Sequence, residues 1–217
     1  MSDMASFVPA GADLDELRAE ARSCRGCDLF RDATQTVFGK GSSRARVVMV
    51  GEQPGDVEDR RGEPFVGPAG VLLRRAVTDV GLKPKDLYIT NAVKHFKFRQ
   101  AATGKRRIHQ TPDRVEIVAC RPWLLAEFAQ LAPNFVVALG ATAGQALLGP
   151  SFRVTKSRGV LMPWPESAYH PEDYAQPGGA AQVMATLHPS AILRADDRDA
   201  AYAGFVKDLK VVADALG

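Results

Sequence analysis

The order of short apolar runs along the chain constrains its fold more than any other feature. Residues 47–50, Val-Val-Met-Val, are apolar throughout and stop at Gly51. Residues 87–93, 135–139 and 183–187 repeat the theme. Runs of this length without polar alternation read as strands buried on both faces. Helical patterns lie between them. Asp13 with Glu16 three residues on reads as a capping box, and Leu14, Leu17 and Ala21 then share one face. Pro68 opens a helix that Gly81 stops. Thr111-Pro112 supplies an N-cap and a first-turn proline for a long helix through about residue 129. Pro122 should kink or divide that helix. Residues 140–148 predict a short helix ended by Gly149. Residues 199–216 predict a terminal one with Ala201, Phe205, Leu209, Val212 and Leu216 on one face. Residues 159–162 read as an edge strand, 169–179 as a surface loop, and 1–12 as a loose tail.

Strands alternating with helices predict an α/β fold. The expected architecture is three layers, αβα, around a central, mostly parallel four-stranded sheet, in one domain over 1–217. Such sheets bind ligands beyond the carboxyl ends of their strands. Polar residues gather there: Glu52-Gln53 after the first strand, Asn91 and Lys94 at the second, His188 at the fourth. The chain has no G-x-G-x-x-G, no Walker loop, no G-x-S-x-G and no H-E-x-x-H. No nucleotide cofactor is therefore expected.

No apolar run is long enough to span a bilayer, and residues 1–11 lack the parts of a signal peptide. A cytoplasmic protein without a membrane partner is expected, with thiols kept reduced. Three cysteines, an odd number, argue for metal ligation or buried thiols over a disulfide framework. The net charge of +3 permits a polyanionic partner. Clustering says more. Lys94, Lys97, Arg99, Lys105, Arg106 and Arg107 fall in one short region with no acid among them. Lys105-Arg106-Arg107-Ile108-His109 reads as a basic loop ending in a potential nucleophile, which suggests a polyanion held next to chemistry.

Four motifs then line up. They are Gly51-Glu52-Gln53-Pro54-Gly55, Gly62-Glu63-Pro64-Phe65-Val66-Gly67, Tyr88-Ile89-Thr90-Asn91-Ala92-Val93-Lys94 and His188-Pro189-Ser190. In order and spacing they resemble the iron–sulfur uracil-DNA glycosylases, and the likeness extends from Cys24 to Arg194. Two departures stand out. His95 occupies the place of a fourth cysteine, and residues 105–109 form an insertion. Both features resemble the UdgX branch, whose members stay covalently joined to DNA after uracil is removed.

The resemblance implies uracil-containing DNA as the partner of a monomer, at the bacterial nucleoid when bound. It implies a [4Fe–4S] cluster on Cys24, Cys27, His95 and Cys120. Four-coordinate zinc suits the same residue types, and spacing does not separate the two. Phe65 would stack on the extruded base. Asn91 would pair with uracil O4 and N3–H, both of which cytosine reverses. His188 would hydrogen-bond O2 as the base leaves. Gln53, which cannot act as a base, would contact the uracil. Glu52 would orient and deprotonate a nucleophile, with Asp56 assisting. Residues 190–194 would form a loop entering the minor groove, with Ser190 in it and Leu193 or Arg194 as wedge. Lys105, Arg106 and Arg107 would contact phosphate, and His109 would be the nucleophile. Two other readings stay open: an ordinary glycosylase releasing abasic DNA, and a non-catalytic DNA-binding protein stapled by a metal.

Overall fold

The computed structural model describes residues 8–102, 104, 106–164 and 181–217, so Lys105 and residues 169–179 lie outside the described residues. The strands are β1 (Lys40–Gly41), β2 (Val47–Gly51), β3 (Leu87–Asn91), β4 (Phe98–Gln100), β5 (Arg107–His109), β6 (Phe135–Leu139), β7 (Met162–Pro163) and β8 (Gln182–Thr186). The helices are α1 (Leu14–Ala21), α2 (Asp56–Arg61), α3 (Pro68–Asp79), α4 (Arg114–Leu131), α5 (Ala141–Leu148), α6 (Val154–Ser157), α7 (Pro189–Leu193) and α8 (Arg198–Leu216).

Four strands, β3-β2-β6-β8, form the expected parallel sheet. Two short antiparallel edges extend it to six, with β1 against β3 and β7 against β8. Each edge strand has two residues; β1 is too short to leave a pattern in the sequence, and β7 overlaps the edge strand expected at 159–162 only at Met162. Successive side chains on a strand point to opposite faces. Val47, Met49 and Val137 accordingly pack with Leu73 of α3 and with Phe205 and Leu209 of α8. Val48, Val50 and Val136 pack on the other face with Leu124 and Phe128 of α4 and Leu147 of α5. Both faces are dry, which is why these runs are apolar without alternation. Each fully buried Val or Leu contributes about 1.5–3 kcal/mol relative to exposure.

The α1 capping box forms as expected, with Leu14, Leu17 and Ala21 buried. Two helix expectations are corrected. The cap of α4 is Asp113 rather than Thr111, and Glu116 accepts the Asp113 N–H at 2.6 Å. An Asp with a Glu three residues on satisfies more free amides than a Thr-Pro start. Pro122 does not divide α4, which runs unbroken for 18 residues. The carbonyl four residues back belongs to Val118, an exposed position, where solvent can replace the missing N–H.

The basic segment is also corrected. Residues 107–109 are not loop but one strand of a hairpin, paired Phe98↔His109, Arg99↔Ile108 and Gln100↔Arg107. Opposed residues share a face. Phe98, Gln100, Arg107 and His109 therefore lie on one face of the ribbon, and Arg99 and Ile108 on the other.

Beneath the end of β3 lies a buried polar network. Lys94 and Glu127 pair at 2.6 Å, with side chains 1% and 0% exposed. Glu127 also accepts from Tyr88 Oη, Thr90 Oγ1 and the Gly39 N–H, each at 3.0 Å. Lys94 Nζ donates to Thr90 Oγ1 and to the Asn91 carbonyl. Lys94, counted above among the clustered cations, is thus an interior strut and not a surface charge. Removing one partner strands the other charge in a dry site. Lys94→Ala should cost about 3–5 kcal/mol in urea unfolding, while Lys94→Met combined with Glu127→Leu should cost less. A single-variant loss under about 1 kcal/mol would show that the pair does not hold this end of the sheet.

Candidate active site

A cleft of about 520 Å³ opens at the carboxyl ends of the parallel strands. Glu52, Gln53, Phe65, Asn91, His109, His188, Ser190 and Arg194 line it. Residues expected at the site from distant parts of the sequence are thus brought together.

The floor depends on a glycine. Gly51 ends β2 opposite Asn91. A Cβ at position 51 would lie 2.3 Å from Asn91 Oδ1 and 2.6 Å from Phe65 Cζ. Glycine therefore lets the amide and the ring approach across the strand end. Asn91 is 1% exposed, and its Oδ1 has no hydrogen-bond partner among the described residues. An unpaired buried oxygen is costly unless a ligand satisfies it. Phe65 adopts a positive φ of 54°. Arg74 Nη1 holds its carbonyl at 2.8 Å, and Gly70 clears the space beside it, where a Cβ would meet that oxygen at 1.6 Å. Glu58 Oε1 accepts the Gly67 N–H at 2.7 Å and closes the same loop. The Phe65 and His188 rings face each other at 5.9 Å.

His188 caps α7, the helical turn that replaces the loop expected at 190–194. Its Nδ1 accepts the Ser190 N–H at 3.1 Å and meets Ser190 Oγ at 2.7 Å. Burial pushes its pKa down to about 4. The neutral ring, accepting at Nδ1, carries its proton on Nε2. Ser190 thus orients this histidine.

His109 Nε2 lies 3.2 Å from Glu52 Oε1, and Thr142 Oγ1 donates to Glu52 Oε2. Burial alone would raise the Glu52 pKa, but hydrogen bonds from His109 and Thr142 outweigh it and hold the group below its ordinary value. Thr142 stands in the first turn of α5, where a carboxylate is favoured. Sequence reasoning missed it, although Gly140-Ala141-Thr142 follows the third strand just as Glu52 follows the first.

Two expected contacts are redirected. Gln53 lines the cleft, but its side chain clamps the base of the hairpin. Its Nε2 donates to the carbonyls of Lys97 and Gln110, and its Oε1 accepts the Lys97 N–H. Arg107, expected at a phosphate, turns inward with its side chain 9% exposed. It pairs with Asp56 and Asp59 and lies over the rings of Phe96 and Phe98. Asp56 is correspondingly engaged in holding the hairpin. Lys97 pairs with Asp113 and Glu116. Of the clustered cations that are described, Arg99 and Arg106 remain exposed without an ion pair among the described residues. Leu193 lies outside this cleft, in an adjoining apolar groove with Val66, Val71 and Tyr202.

The remaining expected ligands lie beside α4. Cys24, Cys27 and Cys120 belong to one packed cluster with Trp123. Trp123 Nε1 donates to Cys24 Sγ, and the Lys94 N–H to Cys120 Sγ, both at 3.1 Å. His95 is buried, with Nε2 at 3.1 Å from Thr36 Oγ1 and Nδ1 unpartnered among the described residues. Burial pushes the Cys120 thiol up to about 12 and His95 down to about 4, so both are neutral as free side chains. Among the described residues no three such side chains converge as around one ion. In a cubane each iron takes its own protein ligand, so four donors need not meet at a point. Three thiols, two N–H donors aimed at sulfur and one unpartnered imidazole nitrogen fit that donor set.

Comparison with known proteins gives the family. Residues 38–210 match the model of the Uracil DNA glycosylase superfamily. The chain is 35% identical over 184 residues to the Type-4 uracil-DNA glycosylase of Thermotoga maritima, covering 84% of each chain. It is 34% identical over 184 residues to that of Archaeoglobus fulgidus, covering 83% of each, and 32% identical over 197 residues to that of Pyrobaculum aerophilum, covering 91% of each. With the family model matching most of its length, the chain belongs to the uracil-DNA glycosylase superfamily.

Proposed function

We propose that the protein excises uracil from DNA and then stays covalently attached to the abasic-site sugar through His109, as in the UdgX branch. One observation carries the second half of this reading. Residues 107–109 form one strand of a ribbon that sets His109 beside Glu52, inside the cleft lined by Phe65, Asn91 and His188.

The steps follow from these side chains. A flipped base enters the cleft and lies against Phe65. Asn91 pairs with O4 and N3–H, filling the acceptor that has no partner among the described residues. His188 Nε2–H donates to O2, where negative charge develops as the C1′–N1 bond breaks. The sugar is left with positive charge near C1′, as in other glycoside cleavages. The imidazole of His109 adds to that carbon and becomes an alkylimidazolium. Its remaining N–H donates to Glu52, which passes the proton on to solvent, so the attached ring ends neutral and is a poor leaving group. A well-oriented internal nucleophile acts with an effective molarity of about 10⁵–10⁸ M, enough to outcompete water. Arg107 and Gln53 serve as positioning residues through the hairpin. Arg99, Arg106 and Arg194, with Lys105 of the same basic segment, supply charge for the DNA backbone.

The relatives are named uracil-DNA glycosylases, and ordinary release of abasic DNA is the second reading. One experiment separates the two outcomes. The protein is incubated with a uracil-containing oligonucleotide, free uracil is measured, and the products are run on a denaturing gel. Wild type should give a heat- and detergent-stable protein–DNA band with uracil DNA and none with undamaged DNA. His109→Ser should abolish the band while uracil release continues, because the smaller side chain admits water. A band that persists in His109→Ser would move the nucleophile elsewhere, and released abasic DNA from wild type would favour turnover.

Cys24, Cys27, His95 and Cys120 are proposed to hold a [4Fe–4S] cluster. Bound there, it would staple the end of α1, the segment after β3 and α4 together, with imidazole removing one negative charge relative to four thiolates. Purified protein should be yellow-brown and carry iron and sulfide. Cys120→Ala should lose both and unfold at lower denaturant, since ligand binding is coupled to folding. A colourless folded protein with stoichiometric zinc would overturn the assignment.

A further inference from the structure

The loop that presents Phe65 to the cleft has another concavity on its far side. Its volume is about 500 Å³, and its walls come from α1, from residues 35–40 and from residues 61–64. Four cations line it, Arg18, Arg22, Lys40 and Arg61, against one carboxylate, Glu63. Glu63 is taken by Lys40 at 2.7 Å. Arg18 is held in place by Asp15, by the Gly39 carbonyl at 3.4 Å and by the Phe38 ring at 5.9 Å. Arg22 and Arg61 are exposed, and their side chains have no hydrogen bond or ion pair among the described residues. Two free guanidinium groups thus flank a hollow whose lining is net positive.

Its place in the sheet gives it meaning. Lys40 pairs antiparallel with Ile89, so the residues leading into β1 lie level with the carboxyl end of β3. Gly39 and Thr90 confirm that level by sharing Glu127. The hollow therefore opens at the same end of the sheet as the cleft, beyond its β1 edge, with residues 62–67 between them. Phe38 is 4% exposed, and no open aromatic face in the hollow is available for a base. Guanidinium groups without a stacking platform suit phosphate oxygens, to which they donate bidentately.

We propose that this hollow is a second DNA-binding site, which grips the phosphates of the strand on one side of the nucleotide in the cleft. It rests on the reading that DNA is the substrate. It reads no sequence, and it adds affinity only when the strand is long enough to pass the Phe65 loop. Lys40 and Arg18, already paired, shape the hollow. Arg22 and Arg61 supply the contacts that release counterions.

The test uses undamaged, fluorescein-labelled oligothymidylates of increasing length, followed by anisotropy over a range of salt. Wild-type affinity should rise with length. Arg22→Ala combined with Arg61→Ala should lose that rise, and its salt slope on the long strand should be shallower by about 1.4, at roughly 0.7 per phosphate. Arg22→Lys combined with Arg61→Lys should keep most of the wild-type slope, because the charge remains. Uracil release from an oligonucleotide too short to reach the hollow should be unchanged in both variants. An alanine variant with the wild-type length dependence and salt slope overturns the proposal, as does a wild type whose affinity ignores length. Because the strands carry no uracil, a failure to excise would sink the proposed activity and still leave this binding measurement to judge the hollow.

Discussion

A bare hydrogen at position 51 sets the geometry of the cleft. β2 and β3 run side by side to their ends, and Gly51 faces Asn91 there. Any side chain would displace the Asn91 amide and the edge of Phe65 together. The buried network of Lys94, Thr90 and Glu127 holds the same strand end from below, through the Asn91 carbonyl. The amide is therefore fixed by its backbone, with its oxygen unpaired among the described residues. That combination is expensive in an empty protein and useful in one that must select a base by hydrogen bonds.

The hairpin is a second preorganised part, and charge pairing holds it. Arg107 runs between Asp56 and Asp59 while Gln53 ties its two ends. Asp59 also accepts the Thr34 N–H, and Thr36 meets His95. Residues 34–36 thus run from the candidate metal ligands to the arginine that anchors the strand of His109. Glu52 then needs only two partners, His109 and Thr142, to fix the remaining degrees of freedom at the reacting end.

The four parallel strands were legible because both of their faces are dry, which writes unbroken apolar runs such as Val47 to Val50 into the sequence. The edge β1 was not, since two residues carry no period, and β7 was legible only as an edge strand placed over 159–162, of which it keeps Met162. Residues 105–109 read as a loop because three consecutive cations dominate them and the strand Arg107–His109 is too short to show a period. The charge cluster misled for a different reason. Local sequence shows Lys94, Lys97 and Arg107 without acids, but their partners Glu127, Asp113, Glu116, Asp56 and Asp59 arrive from other elements. Pairing across the fold is invisible to composition. The convergence of Glu52, Asn91 and His188 was legible, because strand ends in a parallel sheet share one rim. The roles of Thr142 as a support for Glu52 and of Gln53 as a clamp were not, since both depend on where a side chain turns.

The central claim is that His109 itself becomes bonded to the sugar. It is tested most directly by mapping the bond. Wild-type protein is reacted with a uracil-containing oligonucleotide, denatured, digested with nuclease and protease, and sequenced by mass spectrometry. The account predicts a sugar-phosphate mass on the peptide that contains His109, with fragment ions placing it on that histidine. The same mass on any other residue, or unmodified His109 alongside free abasic DNA, would contradict it.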